Sequence, residues 1–363
     1  MAITHEYFPQ SRPHPGETLE EKLQEMGMGP KEFAVRTGKP EKTIIAILKG
    51  DSSITPDMAV QFESVTGIPA SFWIKHQRQY DEYMARVKRQ DVVSAAISWA
   101  KQFPLADMIR KGWLPAANTI EEKTLSLLAF FGISNHNAWE DYYIKQELKV
   151  AFRISLAHTS EHYAISAWLR QGEIEANKLK TGIEYSEKKF KEALPRIKSI
   201  MANHPPDFFQ QLQSICLEAG VKVVYTPCIN KAPISGATRW LNDTPFIQLT
   251  GRYKRNDSFW FTFFHEAGHI LLHGKKDIFL EKVEYSGKDL EKEKEADDFA
   301  VKWTFSEAEE ADVLAAAPLS AADIRAFARQ FNTHPAMIIG RLRHKKLMPF
   351  AIGNEFLEPV VLG

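Results

Sequence analysis

The sequence predicts an α+β protein in which helices dominate and a small sheet supports one buried helix. Three observations lead to this fold class. Residues 18–90 break into five short, apolar-patterned segments bounded by glycine or proline, which is typical of a compact helical bundle. Residues 91–200 keep a three-to-four spacing of apolar side chains, as helices do. After Gly220 the pattern changes to that of short strands, and the apolar run "FWFTFFHEAGHILLHG" at 259–274 follows them.

These changes of pattern predict three domains. We expect a helical domain at 1–95, a helical connector at 96–200, and a domain with the sheet and the buried helix at 201–363. A length of 363 residues agrees with two or three domains.

Composition places the chain among soluble globular proteins. It is 44% hydrophobic and 25% charged, and 46 basic side chains balance 46 acidic ones. Zero net charge argues against a protein that coats nucleic acid, but it leaves room for a local basic face. The apolar runs are shorter than the ~20 residues of a membrane helix, and the N-terminus lacks the pattern of a secretory signal. With two cysteines only, Cys216 and Cys228, we expect a cytoplasmic protein without a disulfide framework or a membrane partner.

A helix-turn-helix pattern lies in the middle of the first domain. Ala34 stands where two helices cross closely, and Gly38, four residues later, suits a left-handed turn. Ile44 and Ile47 lie three apart on one face of the next helix. In the DNA-binding use of this motif the second helix enters the major groove. Its outward residues and the lysines near its ends are the candidate DNA contacts: Lys39, Glu41, Lys42, Thr43 and Lys49.

A structural or dimerising role is the alternative for this pair, because two helices joined at a glycine also occur in domains that do not bind DNA. Residues 31–49 carry five basic side chains against two acidic ones, a local excess that favours DNA binding. Ile45 and Ala46 also face outward. They can contact thymine methyl groups but read few hydrogen bonds.

The stretch from "HPGETLEEKL" to "TGIPASFWI" resembles the HigA-type, XRE-like helix-turn-helix antitoxin domain. The resemblance implies a homodimer that binds a palindromic DNA operator and represses its own operon. It also implies that a cognate toxin is an alternative protein partner.

Two histidines and a glutamate interrupt the apolar run of the third domain, after the predicted strands "VKVVYT", "SGATRWL" and "FIQLTGRY". His265 and His269 are four apart and project from one helical face, and Glu266 directly follows the first of them. In this His-Glu-x-x-His arrangement both imidazoles bind zinc and the glutamate is the general base. The alternative is a pair of core histidines beside a buried glutamate, which is costly unless each polar group finds a partner.

A catalytic zinc needs a third protein ligand and one open position. His273 follows His269 by four residues, but this spacing does not match an extended metzincin motif, so we expect His273 beside the site or in a structural role. The acidic helix "EKEKEADDFAVKW" is the better source, with Glu293 beside its apolar stripe and Asp297 one turn further on. This layout resembles that of the gluzincins, in which the glutamate binds metal and the aspartate braces a histidine ligand. Glu295 is the alternative to Glu293 as the third zinc ligand, because an acidic run always places some carboxylate near such a site.

A second resemblance, to the ImmA/IrrE family of zinc metallopeptidases, is carried by two stretches: "SGATRWLNDTPFIQLTGRYKRNDSFWFTFFHEAGHILLHG" and "EKEKEADDFA". It implies a zincin-like fold for residues 201–363 and cleavage of a helix-turn-helix repressor. Carried onto this chain, it implies the zinc ligands His265, His269 and Glu293 and the general base Glu266. Family members often follow the acidic helix with a Leu-Met-Pro segment, whereas this chain has "VKWTFSE". The floor of the substrate cleft is therefore expected to differ.

The predicted reaction is hydrolysis of a peptide bond, in which Glu266 takes a proton from water and returns it to the leaving amine. The negative charge that develops needs an electrophilic side chain. The candidates are Tyr225, Tyr253, Tyr285 and His334. A substrate peptide could pair with an edge strand among residues 235–250.

We therefore expect a transcriptional regulator fused to a zinc metallopeptidase that hydrolyses a repressor-type protein or itself. The alternative is an antitoxin-like, DNA-binding autorepressor whose metal domain senses a signal or binds a toxin and has little peptidase activity. A purely structural zinc is disfavoured because it would leave Glu266 without a role.

Overall fold

A computed structural model of the chain describes residues 11–147, 161–232, 234–251, 255–273, 275, 279–280, 288–349, 352–360 and 362. The chain divides into two compact units, Met1–Ala95 and Ala96–Gly363. The second unit holds both the predicted connector and the predicted sheet-containing domain, so their division at residue 200 stays a prediction. None of the described helices combines the length and the apolar character that crossing a membrane requires.

The first unit is a bundle of short helices: α1 (Pro15–Glu25), α2 (Pro30–Thr37), α3 (Glu41–Leu48), α4 (Pro56–Thr66) and the beginning of α5 (Ala70–Ala100). Proline opens α1, α2 and α4, at positions where the missing N–H removes no intrahelical hydrogen bond. Each helix contributes to one apolar core, which includes Leu19, Phe33, Ile44, Phe62 and Trp73.

The structure confirms the helix-turn-helix pattern in α2 and α3. Gly38 has a φ of 64°, in the left-handed region, and its N–H closes the end of α2. Ala34, Ile44 and Ile47 are buried, with at most 3% of each residue exposed. The sequence pattern predicted that the fifth helical segment ends by residue 90, whereas α5 runs on to Ala100. No glycine or proline interrupts it before Ala100, so the helix continues.

Helices also fill the first part of the second unit, as the apolar spacing predicted. They are α6 (Leu105–Arg110), α7 (Ile120–Phe131), α8 (His136–Trp139), a π-helical segment (Glu140–Glu147), α9 (Glu161–Lys178), α10 (Glu187–Asn203) and α11 (Phe208–Glu218). Aromatic rings pack edge to face between them, with Phe103 centred 4.9 Å from Trp99 and 5.6 Å from Trp139. Trp168 of α9 donates a hydrogen bond to the carbonyl of Thr226, next to the sheet.

Among the described residues the sheet has four strands, β1 (Lys222–Tyr225), β2 (Gly236–Leu241), β3 (Thr244–Leu249) and β4 (Phe279–Leu280), in the order β1-β3-β2-β4. β1 runs parallel to β3, whereas β2 forms an antiparallel hairpin with β3 and also pairs with β4. Asn242 turns the hairpin with a φ of 56°, a conformation that asparagine tolerates well. The expectation of an edge strand within 235–250 is contradicted at Ala237 and Thr238, where β4 pairs with β2. Residues 239–241 of β2 pair with β3 alone among the described residues.

The helix α12 (Asn256–Leu272) lies on this sheet and is crossed by α13 (Lys288–Thr304). A Cβ atom at Gly268 would lie 3.3 Å from the Cα atom of Ala296, so small side chains at the crossing let the two backbones approach closely. Nearby, the rings of Phe264 and Trp303 stack with an interplanar angle of 3°. This close crossing determines which residues of α13 reach the histidines of α12.

Three further α-helices follow in the described part of the second unit: α14 (Glu307–Ala315), α15 (Ala321–Gln330) and α16 (Pro335–His344). A short 3₁₀ helix (Asn354–Phe356) comes after them. Their apolar residues join the main core with those of α12, for example Val313, Ile324 and Ile338. The predicted fold class is confirmed. The chain is α+β and mostly helical, with a helix-turn-helix bundle, and a small sheet lies beneath the buried His-Glu-x-x-His helix.

Candidate metal centre

The two histidines of α12 face each other inside the second unit. His265 and His269 are 3% and 2% exposed, and their Nε2 atoms lie 3.0 Å apart. The four-residue spacing puts both rings on the same helical face, one turn apart.

Glu293 of α13 completes a group of three potential metal ligands. Its Oε2 lies 3.3 Å from His265 Nε2, and its Oε1 lies 3.5 Å from His269 Nε2. Zinc bonds of about 2.0–2.2 Å in a tetrahedral arrangement place ligand atoms about 3.3–3.6 Å apart. Glu293 Oε1 is also buried, and no donor among the described residues makes a hydrogen bond to it. The spacing and the donor chemistry of these three residues therefore fit a zinc-sized cation.

The second nitrogen of His265 is held by Asp297. His265 Nδ1 lies 2.9 Å from Asp297 Oδ1, and since a carboxylate only accepts, the Nδ1–H donates and the Nε2 lone pair points to the candidate metal position. Burial opposes a charged ring, but the hydrogen bonds to Asp297 and Glu293 outweigh it and raise the pKa of His265 well above its usual range. Without a metal, a proton on His265 Nε2 would be donated to the Nε2 lone pair of His269 or to the carboxylate of Glu293.

His269 is oriented by a longer chain of contacts. Its Nδ1 lies 2.9 Å from His273 Nδ1, and His273 Nε2 lies 3.0 Å from Glu295 Oε2. A neutral His273 that donates to Glu295 must accept at Nδ1, so the Nδ1–H of His269 donates and its Nε2 lone pair is directed at the metal position. Burial, with His265 and His273 nearby, lowers the pKa of His269, which favours the neutral form that a metal ligand needs. In the structure Glu295 contacts His273 and not the paired Nε2 atoms.

The carboxylate of Glu266 is buried against β2, in a setting that sequence reasoning missed. Thr238 Oγ1 lies 2.7 Å from Glu266 Oε2 and 2.9 Å from the backbone carbonyl oxygen of the same residue. A Cβ atom at Gly236 would lie 2.7 Å from Glu266 Oε1. Thr238 therefore holds one oxygen, and the absent side chain of Gly236 leaves room for the other. Thr238 and Gly236 are two apart on a strand and share a face. No local pattern marks them, because their partner lies 28 residues further along.

A cavity of about 660 Å³ includes His265 and Glu293 in its lining. Apolar side chains also line it, namely Phe261 of α12, Val301 of α13, Phe305 after α13 and Met337 of α16. The rest of the lining is mostly polar or charged, and it includes Arg255, Arg341, Arg343 and His344. A cleft beside ionisable groups is typical of a site that binds and transforms a ligand.

The structure describes two of the four candidate electrophiles, while Tyr253 and Tyr285 lie outside the described residues. His334 accepts from the N–H of Ala336 and lies 3.3 Å from Asn256 Nδ2, so its Nδ1 is engaged at the beginning of α16. Tyr225 is the last residue of β1 and lies beside Gly251. Neither lines the cavity that contains His265.

The predicted DNA contacts lie on or beside α3. Lys39 Nζ lies 2.6 Å from Asp57 Oδ2, with 19% of the lysine side chain exposed. Glu41, Lys42 and Lys49 are exposed, and Thr43 is half-buried. Their role as DNA contacts stays a prediction.

Known proteins match each part of the chain. Residues 216–342 match the Peptidase_M78 family, described as the IrrE N-terminal-like domain, and this range includes every residue of the candidate metal centre. An uncharacterised HTH-type transcriptional regulator of Escherichia coli (strain K12), YddM, is 29% identical over 70 residues, which are 19% of this chain and 74% of the regulator.

Solved structures of antitoxins are also similar to part of the chain. An addiction module antidote protein of the HigA family from Coxiella burnetii is 34% identical, with 23% of this chain and 95% of that protein covered and a TM-score of 0.22. The Pseudomonas aeruginosa antitoxin HigA, solved with the higBA promoter, is 28% identical, with 22% and 86% covered and a TM-score of 0.21. The chain thus joins a segment similar to an HTH-type regulator to an IrrE N-terminal-like domain.

Proposed function

We propose that this protein is a zinc-dependent peptidase fused to a DNA-binding helix-turn-helix module, and that it hydrolyses a peptide bond in a repressor-type protein or in itself. The observation that carries the proposal is the convergence of His265, His269 and Glu293 within 4.8 Å of one another. Glu266 follows His265 on α12, and the cavity includes His265 and Glu293 in its lining.

Zinc is the proposed metal because two imidazoles and one carboxylate form a typical catalytic zinc set, with one position left for water or substrate. When bound, zinc would supply a Lewis acid that polarises a carbonyl and makes water a stronger acid. Asp297 and the His273–Glu295 pair hold the outer nitrogens of the ligands, so both Nε2 lone pairs stay directed at the metal.

Glu266 is the proposed general base. It takes the proton of the attacking water at its carboxylate and later returns it to the leaving amine, so one group serves both proton transfers. Thr238 keeps the carboxylate in one orientation, and full burial keeps bulk water away from it. The proposed mechanism uses no residue outside the described part of the second unit.

The proposed DNA contacts are Glu41, Lys42, Thr43 and Lys49, with Lys39 at the beginning of α3. Exposed lysines on a second helix of this motif would contact phosphates and place the helix in the major groove. Similarity of the same segment to an HTH-type transcriptional regulator supports this interpretation. A repressor-type substrate is proposed because the chain joins such a module to a peptidase domain. DNA would bring this protein and a DNA-bound repressor to the same place.

The zinc content of four full-length proteins tests the metal centre: the wild type and the Glu266→Gln, Glu293→Ala and Glu295→Ala variants. We expect one zinc per chain in the wild type and in Glu266→Gln, and loss of tightly bound zinc in Glu293→Ala. Glu295→Ala should retain zinc with an affinity lowered about 10- to 100-fold, since it acts through His273.

Cleavage is then measured on the protein itself and on helix-turn-helix repressors from the same cell. We expect Glu266→Gln to slow cleavage by at least about 100-fold with its zinc retained. A wild type that binds no zinc when supplied with it would contradict the proposal. Cleavage-independent regulation that is the same in wild type and Glu266→Gln would instead favour the antitoxin-like autorepressor, with a metal domain that senses or binds.

A further inference from the structure

One wall of the cavity beside the candidate metal centre is basic. Arg341, Arg343 and His344 line this wall from the second half of α16. The carboxylates of the lining are engaged by other groups: Asp257 by Arg255, and Glu293 and Asp297 by His265. The described partners of Arg341 and Arg343 all lie outside the cavity lining.

Arg341 shares its buried carboxylate with a second cation. Arg341 Nε forms an ion pair with Glu310 Oε2, and Lys345 Nζ lies 2.7 Å from Glu310 Oε1. Glu307 lies 3.6 Å from Arg341 Nη2, but its side chain is 83% exposed, and water screens the charge of such an exposed group. One buried carboxylate thus serves two cations, and this wall of the cavity keeps an excess of positive charge.

Arg343 is buried on the same wall, with 5% of the residue exposed. The described hydrogen bonds of its Nη2 go to two neutral acceptors, the carbonyl oxygen of Ile352 at 2.6 Å and Asn354 Oδ1 at 2.8 Å. Neutral acceptors satisfy N–H groups and hold the side chain in place, but they do not cancel the charge of the guanidinium. A planar guanidinium away from bulk water binds a carboxylate more strongly than an exposed one does.

We propose that the cavity binds a carboxylate of the substrate polypeptide, and that Arg343 is the residue that determines this specificity. The carboxylate belongs to an acidic side chain near the scissile bond or to the C-terminus of the substrate. This inference rests on the proposed peptide hydrolysis, because the ligand is the substrate of that reaction. His265 and Glu293 line the same cavity as Arg343, and its volume of about 660 Å³ is typical of ligand pockets. One peptide can therefore reach both the metal centre and Arg343.

Binding without turnover tests the proposal. The full-length Glu266→Gln protein, loaded with zinc, is titrated calorimetrically with the capped peptides Ala-Ala-Glu-Ala-Ala and Ala-Ala-Gln-Ala-Ala, and with the glutamine peptide carrying a free C-terminal carboxylate. If the ligand is an acidic side chain, the glutamate peptide should bind at least about tenfold more tightly than the capped glutamine peptide, as expected for a hydrogen bond between charged groups. If the ligand is a C-terminus, the peptide with the free carboxylate should show this ratio instead.

Substitutions of Arg343 in the same background assign the preference to this residue. Arg343→Gln removes the charge, so it should bring the ratio of affinities close to one. Arg343→Lys keeps the charge but loses the planar fork, so its ratio should lie in between, and it decides the test if Arg343→Gln does not fold. Arg196→Gln, the same change on a side chain that is 55% exposed, should leave the ratio unchanged. Circular dichroism shows which variants are folded.

Removal of the zinc with a chelator should also leave the preference in place, since Arg343 and not the metal binds the carboxylate. Equal affinities for the three peptides would overturn the proposal. A preference that persists in full in both Arg343 variants, or that disappears with the zinc, would do the same.

If the wild type cleaves a protein while the three peptides bind equally, this inference fails and the proposed hydrolysis stands. If the preference is present but the wild type cleaves no polypeptide, the hydrolysis fails and the cavity remains a carboxylate-binding site.

Discussion

Glu266 lies on α12, but two residues of β2 determine where its carboxylate sits. Thr238 contacts Oε2 at 2.7 Å, and Gly236 leaves the space that Oε1 occupies. A general base must keep one orientation while it accepts and returns a proton. The chemistry that the His-Glu-x-x-His pattern indicates therefore depends on a strand that lies earlier in the chain.

Replacing Thr238 by Val removes the hydroxyl and keeps the shape of the side chain. We expect zinc content and KM to stay near those of the wild type, and kcat to fall by at least about tenfold, since a hydrogen bond to a charged group contributes about 1.5–3 kcal/mol. Thr238→Ser should recover most of the loss. Steady-state kinetics of all three proteins give the kcat and KM values.

Thr37→Val is the matched control, because Thr37 is also buried but donates to the carbonyl of Phe33 in the first unit. It should leave kcat unchanged. If Thr238→Ser were as slow as Thr238→Val, the hydroxyl would not be the group that positions Glu266.

At the scale of secondary structure elements, α16 begins at His334. The ring of His334 must be neutral to accept the hydrogen bond that closes the beginning of the helix. His334 accepts from the N–H of Ala336 and also contacts Asn256 of α12. Burial and the neighbouring His204 lower the pKa of His334 to about 4. An unfolded histidine has a pKa of about 6.5, so the unfolded chain binds the proton more readily between these two values.

Acid should therefore destabilise the second unit through His334. Stability from a depressed histidine pKa is fully present above the unfolded value and is lost as the pH falls towards the folded one. Between pH 7 and pH 5 we expect a loss of roughly 2 kcal/mol from this group. His334→Asn keeps a residue that caps helices well and removes the titration, so its stability should fall less over the same interval.

Urea unfolding of both proteins, followed by tryptophan fluorescence at pH 7 and pH 5 in the presence of a chelator, measures the difference. The chelator removes metal binding as a source of pH dependence, and the other histidines titrate equally in both proteins. An identical loss of stability in wild type and His334→Asn would contradict the assignment to His334.

At the scale of the whole molecule, the chain has two units with separate cores, and the two proposed activities are assigned to different units. The first has its own apolar core beneath the helix-turn-helix, and the second has the core around α12. The candidate DNA contacts Lys42 and Lys49 and the candidate base Glu266 accordingly lie in different units. Changes in one unit should leave the activity of the other unit intact.

We expect Lys42→Ala with Lys49→Ala to weaken binding to a DNA duplex. The slope of log affinity against log salt should fall by about 1 for each phosphate that the protein no longer neutralises. The same double variant should bind zinc and cleave as the wild type does. Glu266→Gln should show the reverse, with DNA binding intact and cleavage abolished. Fluorescence anisotropy at several salt concentrations measures the slope.

Lys188→Ala is the control for the removal of positive charge, because Lys188 is exposed and lies in the second unit. It should leave the salt slope unchanged. An equal change of slope in Lys188→Ala and in the double variant would show that α3 is not the DNA-binding surface.

The sequence by itself determined the features that lie within one helix or one turn. Gly38 with Ile44 and Ile47 indicated the helix-turn-helix, and the four-residue spacing of His265 and His269 put two imidazoles on one face. These predictions succeed because helical periodicity alone sets the relation between such residues. The run of α5 beyond residue 90 was missed, although no glycine or proline separates its two apolar patterns.

Only the tertiary structure decided which residues of other elements meet that face. Glu293 and Glu295 are two apart in the same acidic run, and the close crossing of α12 and α13 at Gly268 brings Glu293 to the paired imidazoles and Glu295 to His273. Thr238 reaches Glu266 from a strand, and three elements together line the cavity. Such contacts depend on how close-packed elements fit against one another, and no pattern within a single element encodes that fit.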